Sequence, residues 1–274
     1  MDLNKENMMS FDFKNKNVGI TGAAGIHGIG FAIAKMFLKC GANVFICDLR
    51  KEALDEAAAE LKKYGTVKAY VTDVSKPESV TGMFEEAVRD FGYIDVFINN
   101  AGVYPQAMVC DMSADQWDMV MNVNLKSVFL CAIECRKWME HGGVILNAAS
   151  YAALLGSAGS GAYAASKAAV YNLTKTLAAE LAPYGIRVNG YIPGVIETGM
   201  TKDVIECKKE ELTDAIALRR LGKPEDVAAA VCFLASDNAS YLTGMFMEIS
   251  GGKFCVQNPD FAWKWNEKMP AMLP

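Results

Sequence analysis

Three side chains near the middle of this sequence could together move a proton: Ser150, Tyr163 and Lys167. Tyr163 and Lys167 stand four residues apart in Tyr-Ala-Ala-Ser-Lys, and Ser150 lies thirteen residues upstream. On a helix that separation places both side chains on one face, about 6 Å apart along the axis. A tyrosine hydroxyl titrates near ~10 in water, so it is a poor base at neutral pH until a nearby cation favours the phenolate. Lys167 is expected to supply that charge and lower the phenol. The same spacing arises by chance on ordinary helices, so the rest of the chain decides.

The elements that must hold these groups are legible as an alternation. Short β-branched runs begin at Asn17–Thr21 and continue at Asn43–Asp48, Val67–Thr72, Ile94–Asn99, Gly143–Asn147, Gly185–Asn189 and Met245–Ile249. Between them lie helical patterns at Phe31–Lys39, Lys51–Lys63, Pro77–Phe91, one long helix from Ser113 to Glu140, the helix of Tyr163 and Lys167, and Pro224–Ala235. Such alternation predicts a doubly wound α/β fold with parallel strands and helices on both faces. At 274 residues, with no repeat or linker-like tract, the chain is expected to form a single domain. Residues 195–222 are longer than an ordinary connection and are expected to act as a lid. The tail beyond 253 carries Phe261, Trp263 and Trp265, too aromatic for a disordered end, and is expected to dock, over an active site of its own or a neighbouring subunit.

Composition narrows the partners. The chain is 52% hydrophobic and 22% charged with a net charge of −5, which offers no basic footprint for nucleic acid. Residues 1–17 are polar, and no stretch nears the ~18 apolar residues of a membrane span, so no membrane association and a cytosolic location are expected. Eight cysteines (Cys40, Cys47, Cys110, Cys131, Cys135, Cys207, Cys232, Cys255) form no CxxC pair and read as reduced, mostly buried residues. Cys131 and Cys135 share a helical face, which leaves a metal pair conceivable. With only His27 and His141, no zinc constellation can be assembled, and no metal is expected.

The first strand runs into Thr21-Gly22-Ala-Ala-Gly25-Ile-His-Gly28-Ile29-Gly30 and then a helix. Glycines allow a tight turn and close approach to a pyrophosphate, while the helix start offers free N–H groups and a positive dipole end. The spacing Gly-x5-Gly-x-Gly departs from the strict GxGxxG form, so a merely structural turn is an alternative. Asp48, followed by Leu49, ends the second strand, where a carboxylate can bind both adenine-ribose hydroxyls and repel a 2′-phosphate. NAD is therefore favoured over NADP, although Asp48 could simply cap the next helix and Arg50 and His27 leave room for phosphate.

Taken together, Thr21-Gly22…Gly28-Ile29-Gly30, Asp73-Val74, Asn99-Asn100-Ala101-Gly102, Asn124, Ser150, Tyr163-x-x-x-Lys167 and Pro193-Gly194-x-x-x-Thr198 resemble the short-chain dehydrogenases/reductases over residues 14–253. Singly, Asn99–Gly102 would read as a strand-ending turn and Pro193-Gly194 as a loop. The resemblance implies that Gly22, Gly28, Ile29, Gly30, Asp48 and Leu49 meet the adenosine and pyrophosphate. It implies that Asp73 and Val74 hold the adenine, and that Asn100, Ala101 and Gly102 lie along the cofactor ribose region. Pro193, Gly194, Ile196 and Thr198 would meet the nicotinamide carboxamide and pyrophosphate. Asn124 would hold a water linking Lys167 to solvent. Ser150 would bind the substrate oxygen, Tyr163 would act as acid/base, and Lys167 would also bind the nicotinamide ribose.

Three departures stand out. The glycine turn is two residues longer than the family's usual form, as in the enoyl reductase branch, but that branch separates its Tyr and Lys by six residues where three intervene here. Carbonyl reduction is the better reading. An aspartate usual before the last Gly-Gly is replaced in Ile249-Ser250-Gly251-Gly252, and the tail is longer than the family core. Val103, Tyr104, Pro105, Tyr151–Leu155, Val195, Met200, Val204 and Ile205 are expected around the reacting carbon, suiting a bulky steroid or acyl alcohol or ketone. The same side chains could instead pack the domain, and Gln106, Ser157, Ser160 and Glu197 would suit a polyol or sugar. An enoyl reductase and a non-catalytic NAD-binding regulator are the other readings. By resemblance the chain forms a homo-oligomer, a tetramer or dimer, through an apolar face around Val120, Val128 and Cys131.

Overall fold

The strands form at β1 (Asn17–Thr21), β2 (Asn43–Asp48), β3 (Val67–Val71), β4 (Val96–Asn99), β5 (Gly143–Ala148), β6 (Ile186–Pro193) and β7 (Phe246–Ile249) in a computed structural model that describes residues 11–156, 158–253 and 257–268. The polar stretch 1–10, Ser157, Cys255 and the end of the tail lie outside the described residues. Among the described residues the strands make one parallel sheet in the order β3-β2-β1-β4-β5-β6-β7. This is the doubly wound α/β fold that the alternation implies.

Successive side chains of a strand point to opposite faces, and both faces here are apolar because both are covered. Val18, Ile20, Val44, Ile46, Val96, Ile98, Val144 and Leu146 pack against α1 (Ile29–Lys39), α2 (Lys51–Leu61) and α8 (Pro224–Ala235). Phe45, Cys47, Phe97, Ile145 and Val188 pack on the other side against α3 (Pro77–Phe91), α5 (Ser127–Trp138) and α6 (Gly161–Leu181). Gly19 makes room for that second layer: a Cβ there would lie 2.2 Å from Cζ of Phe45 and 2.7 Å from Cδ2 of Phe97. Burying each such ring stabilises the fold by roughly 1.5–3 kcal/mol.

The long helix expected over Ser113–Glu140 is divided. Ser113 and Gln116 form a capping box that opens α4 (Ala114–Met121). A π-helical turn at Asn122–Lys126 then separates α4 from α5. The apolar pattern runs through this turn without Pro or Gly, so periodicity shows no break; the wide turn serves to aim Asn124 inward. Val120, Val128 and Cys131 are core residues, 0%, 4% and 0% exposed, which corrects the expected interface. Cys131 and Cys135 are both buried there, and burial holds each thiol well above its usual range.

Residues 195–222 contain α7 (Lys202–Asp214), which buries none of its side chains and departs from helical geometry at Lys208. In the tail, α9 (Phe261–Lys268) docks on the segment after α7. Its Trp263 indole donates to the Ala217 carbonyl at 2.9 Å, and the Arg219 guanidinium lies 6.0 Å from the indole ring. Phe261 and Trp265 stack on each other and stay exposed.

Candidate active site

The strand order reverses between β1 and β4, and the carboxyl ends flanking that switch point form a crevice suited to ligands. Thr21, Asp48, Asn99, Ala148 and Pro193 all lie at strand ends on this edge.

On the β1 side the glycine turn leads into α1. Gly22 has φ +67°, and a Cβ on it would lie 2.7 Å from Ala101 Cα, so glycine is required there both by conformation and by space. A Cβ on Gly30 would lie 2.6 Å from the Gly22 carbonyl oxygen. Gly28 precedes Ile29 at the helix start with no side-chain cap and no acidic residue in the helix's own first turn, so no side chain of that turn competes for the free N–H groups. The turn is held from β4: Thr21 Oγ1 accepts the Asn100 and Ala101 N–H groups at 3.0 and 2.9 Å. The Asn100 amide donates to the Thr21 and Gly22 carbonyls, both at 3.0 Å, and its oxygen accepts the Tyr191 hydroxyl at 3.2 Å. Asn100 thus braces the turn with its side chain.

Asp48 accepts the Ala24 N–H at 3.3 Å and the Arg50 Nε–H at 3.1 Å. Arg50 is thereby engaged, its guanidinium pushed up by that hydrogen bond and ion pair. Leu49 is exposed beside it. Asp73 accepts Ser75 N–H and Oγ–H at 3.0 and 2.6 Å, shaping the turn before α3, and Val74 is buried below. Pro193 ends β6, and Gly194 packs so closely that a Cβ would lie 2.8 Å from Ser250 Cα. Ile196 is buried, and Thr198 is tied to Thr201 by its N–H at 3.1 Å.

On the other side of the crevice, Ser150 follows β5 and its hydroxyl hydrogen-bonds the Tyr163 phenol. Tyr163 and Lys167 share one face of α6, with Lys167 Nζ 5.7 Å from the Tyr163 ring centroid. Lys167 is 4% exposed and donates to the Ala148 carbonyl at 2.8 Å, and burial lowers its ammonium to about 8. Tyr163 is pushed up from its ordinary value, chiefly by burial, against the opposing Ser150 hydrogen bond, with Tyr104 adding to the rise. The lowered phenol expected from the Tyr–Lys spacing is therefore corrected: Lys167 turns its hydrogen bond to Ala148, and desolvation decides.

Asn124, 1% exposed in the π turn, accepts the Val103 N–H at 2.8 Å and donates to the Val103 carbonyl at 3.0 Å and Ser166 Oγ at 3.1 Å. Gly102 lies alongside, where a Cβ would stand 3.3 Å from Asn124 Oδ1 and 3.6 Å from Lys167 Nζ. Sequence reasoning quoted Thr21 only as part of the glycine motif and missed its bracing role, Ser166, and the pairing of Tyr151 with Glu248 at 2.7 Å. Ser166 carries a usable signal, a polar residue inside a helix where Ser is unfavourable. Tyr151 is buried, while Leu154, Leu155, Met200 and Val204 are exposed, so the expected apolar lining divides between packing and rim.

A free helix N-terminus above a glycine turn, a carboxylate ending β2 and a buried lysine across the crevice fit a dinucleotide, and fold and site together define a dinucleotide-dependent oxidoreductase of the Rossmann type. The chain belongs to the short-chain dehydrogenase/reductase family. The family model described as "Enoyl-(Acyl carrier protein) reductase" matches residues 22–253. The chain is 43% identical over 236 residues to 3-oxoacyl-(acyl-carrier-protein) reductase FabG of Thermotoga maritima, covering 85% of this chain and 95% of that protein. It is 37% identical over 243 residues to a 3alpha-hydroxysteroid dehydrogenase of Mediterraneibacter gnavus, covering 87% and 96%. A crystal structure of a short-chain type dehydrogenase/reductase from Mycobacterium marinum superposes with a TM-score of 0.84 at 33% identity, covering 90% of this chain and 98% of that one. Accordingly the protein is an oxidoreductase of the class acting on CH–OH groups with NAD or NADP.

Proposed function

We propose that this chain interconverts a secondary alcohol and a ketone with NAD(H), Tyr163 moving the proton. The observation that carries the reading is the Tyr163 hydroxyl, hydrogen-bonded by Ser150 and flanked by the Lys167 ammonium at the switch-point edge of the sheet. In reduction the neutral Tyr163 phenol, the form that burial favours, gives its proton to the substrate oxygen while the carbon gains a hydride; in oxidation the phenol first loses its proton to solvent, and the phenolate then takes the proton of the substrate hydroxyl as the same carbon loses a hydride. The nicotinamide, when bound, supplies the hydride acceptor or donor. Ser150 orients the substrate oxygen and supports its developing charge. Lys167 would hold the nicotinamide ribose when the cofactor is bound, and Asn124 fixes Val103 and Ser166 beside Lys167.

NAD is favoured because the cation best placed to greet a 2′-phosphate, Arg50, is paired with Asp48. We take the substrate as a bulky hydroxy or keto compound of steroid or acyl type, in keeping with the exposed Leu154, Leu155, Met200 and Val204. A sugar or polyol is the alternative, because Gln106 and Glu197 are also exposed on segments that flank the site. Enoyl reduction is disfavoured by the three-residue interval between Tyr163 and Lys167. The small-molecule substrate is the partner we assign, with assembly as a homo-oligomer in the cytoplasm.

The test is NADH and NADPH turnover against ketosteroids, keto sugars and acyl ketones, with Tyr163→Phe alongside. Oxidation of NADH by one class, abolished in Tyr163→Phe with NADH binding kept, is the expected result. Retained turnover in the variant would sink the Tyr163 assignment.

A further inference from the structure

We propose that Tyr104 is a positioning residue for Tyr163, its ring setting the orientation of the proton-transferring phenol. The proposal rests on the acid/base reading of Tyr163 given above. The two rings meet edge to face, with centroids 4.8 Å apart and planes at 73°, an arrangement that aromatic pairs prefer.

The helix around Tyr163 cannot confine it. Its neighbours one turn away on α6 and the preceding loop are Gly159, Ser160, Ser166 and Lys167, and Ala162 and Ala164 flank it in sequence. Apart from Lys167, all are small. A half-buried tyrosine among small residues keeps rotational freedom unless a neighbouring segment restricts it. Tyr104 supplies that restriction, while Lys167 approaches the ring and Ser150 holds the hydroxyl.

The segment that carries Tyr104 is clamped on both sides. Immediately before it, Asn124 binds both the N–H and the carbonyl of Val103. Immediately after it, Pro105 restricts the backbone of Tyr104 to extended conformations. Further on, the Ala107 N–H donates to the Gly159 carbonyl at 3.1 Å, and Ala107 bridges Ser160. Val109 then fills the space over Gly161, where a Cβ would lie 2.2 Å from Val109 Cγ2. Gly161 opens α6, so the segment is anchored to the first turn of the helix that bears Tyr163. Gln106 Nε2 stands a long 3.4 Å from the Tyr104 hydroxyl, so the ring edge and not that polar contact is the firm link.

The experiment compares wild type, Tyr104→Leu, Tyr104→Phe and Tyr163→Phe by steady-state kinetics, NADH binding, thermal melting and ultraviolet difference titration of phenolates. Tyr163 is read as the titration step missing in Tyr163→Phe. We expect Tyr104→Leu to lose about tenfold or more in kcat, with substrate KM, NADH affinity and melting temperature little changed, and the Tyr163 titration displaced. Tyr104→Phe, which restores the ring edge, should recover most of that loss. A Tyr104→Leu enzyme with wild-type kcat and titration would overturn the proposal. So would a defect confined to KM, since Tyr104 would then be a substrate contact. The titration needs no turnover, so it still reads the Tyr104–Tyr163 coupling if no ketone in the panel is reduced.

Discussion

Lys167 shows how burial and charge trade at the scale of one residue. Its ammonium is lowered to about 8 by burial, below the ordinary lysine value of 10.5. Between about pH 8 and 10.5 the unfolded chain therefore binds more protons than the folded one, and stability rises with pH across that window. The penalty, on the order of 3 kcal/mol, is fully present below pH 8 and gone above about 10.5. Lys167→Met removes it, so we expect loss of turnover together with a melting temperature at pH 7 raised by about 2 °C or more and less dependent on alkaline pH. A melting temperature equal to wild type at pH 7 would refute this. The types and spacing of Ser150, Tyr163 and Lys167 were legible in the sequence, because four residues on a helix fix a shared face. The direction of the Tyr163 shift was not, because spacing carries no information on desolvation or on the Ala148 carbonyl that engages Lys167. Tyr104 stood out only as an apolar lining residue, since its contact with Tyr163 joins segments 59 residues apart.

At the scale of elements, punctuation decided what could be read. Pro77 at the start of α3 and Gly92 with φ +87° after its end bracket that helix, and the sequence places it at the same bounds. The π turn at Asn122–Lys126 has no such marker, so two helices read as one. The region 195–222 stood out in the sequence only by its length; the structure shows there a helix with no buried side chain and a break at Lys208. The tail is coupled to the segment after α7 through Trp263, Ala217 and Arg219, the last ion-paired with Asp214 and held at φ +56°. A non-glycine residue in that region is strained, and the docked indole helps to hold it there. Trp263→Ala is expected to raise substrate KM several-fold while leaving NADH affinity intact, and to speed cleavage of the tail in limited proteolysis. Unchanged KM and unchanged cleavage would dissolve the link between tail and lid.

For the molecule as a whole, the sheet topology was the most legible property, since alternation of element type implies parallel strands and crossover helices. Quaternary contacts were the least, because one apolar stripe serves core and interface alike and only burial tells them apart. The inward face of α5 is taken by the core, whereas Phe129 and Ile133, one turn apart on the same helix, are 50% and 46% exposed. If the chain assembles through α5, Phe129→Glu should lower the mass measured by light scattering at micromolar concentration, and a wild-type protein that is already monomeric would rule the assembly out. The polarity of the sheet carries a practical consequence of its own. β1 runs from Asn17, whose N–H donates to Asp95 at the opposite edge, toward the edge that carries the crevice, while Ser250, just after β7, lies against Gly194 there. A bead, dye or fusion partner joined ahead of Phe11 is thus introduced at the far end of the strands from the crevice. A group joined on α9 instead sits beside the segment that follows α7, so enzyme immobilised ahead of Phe11 should keep activity that enzyme immobilised through α9 loses.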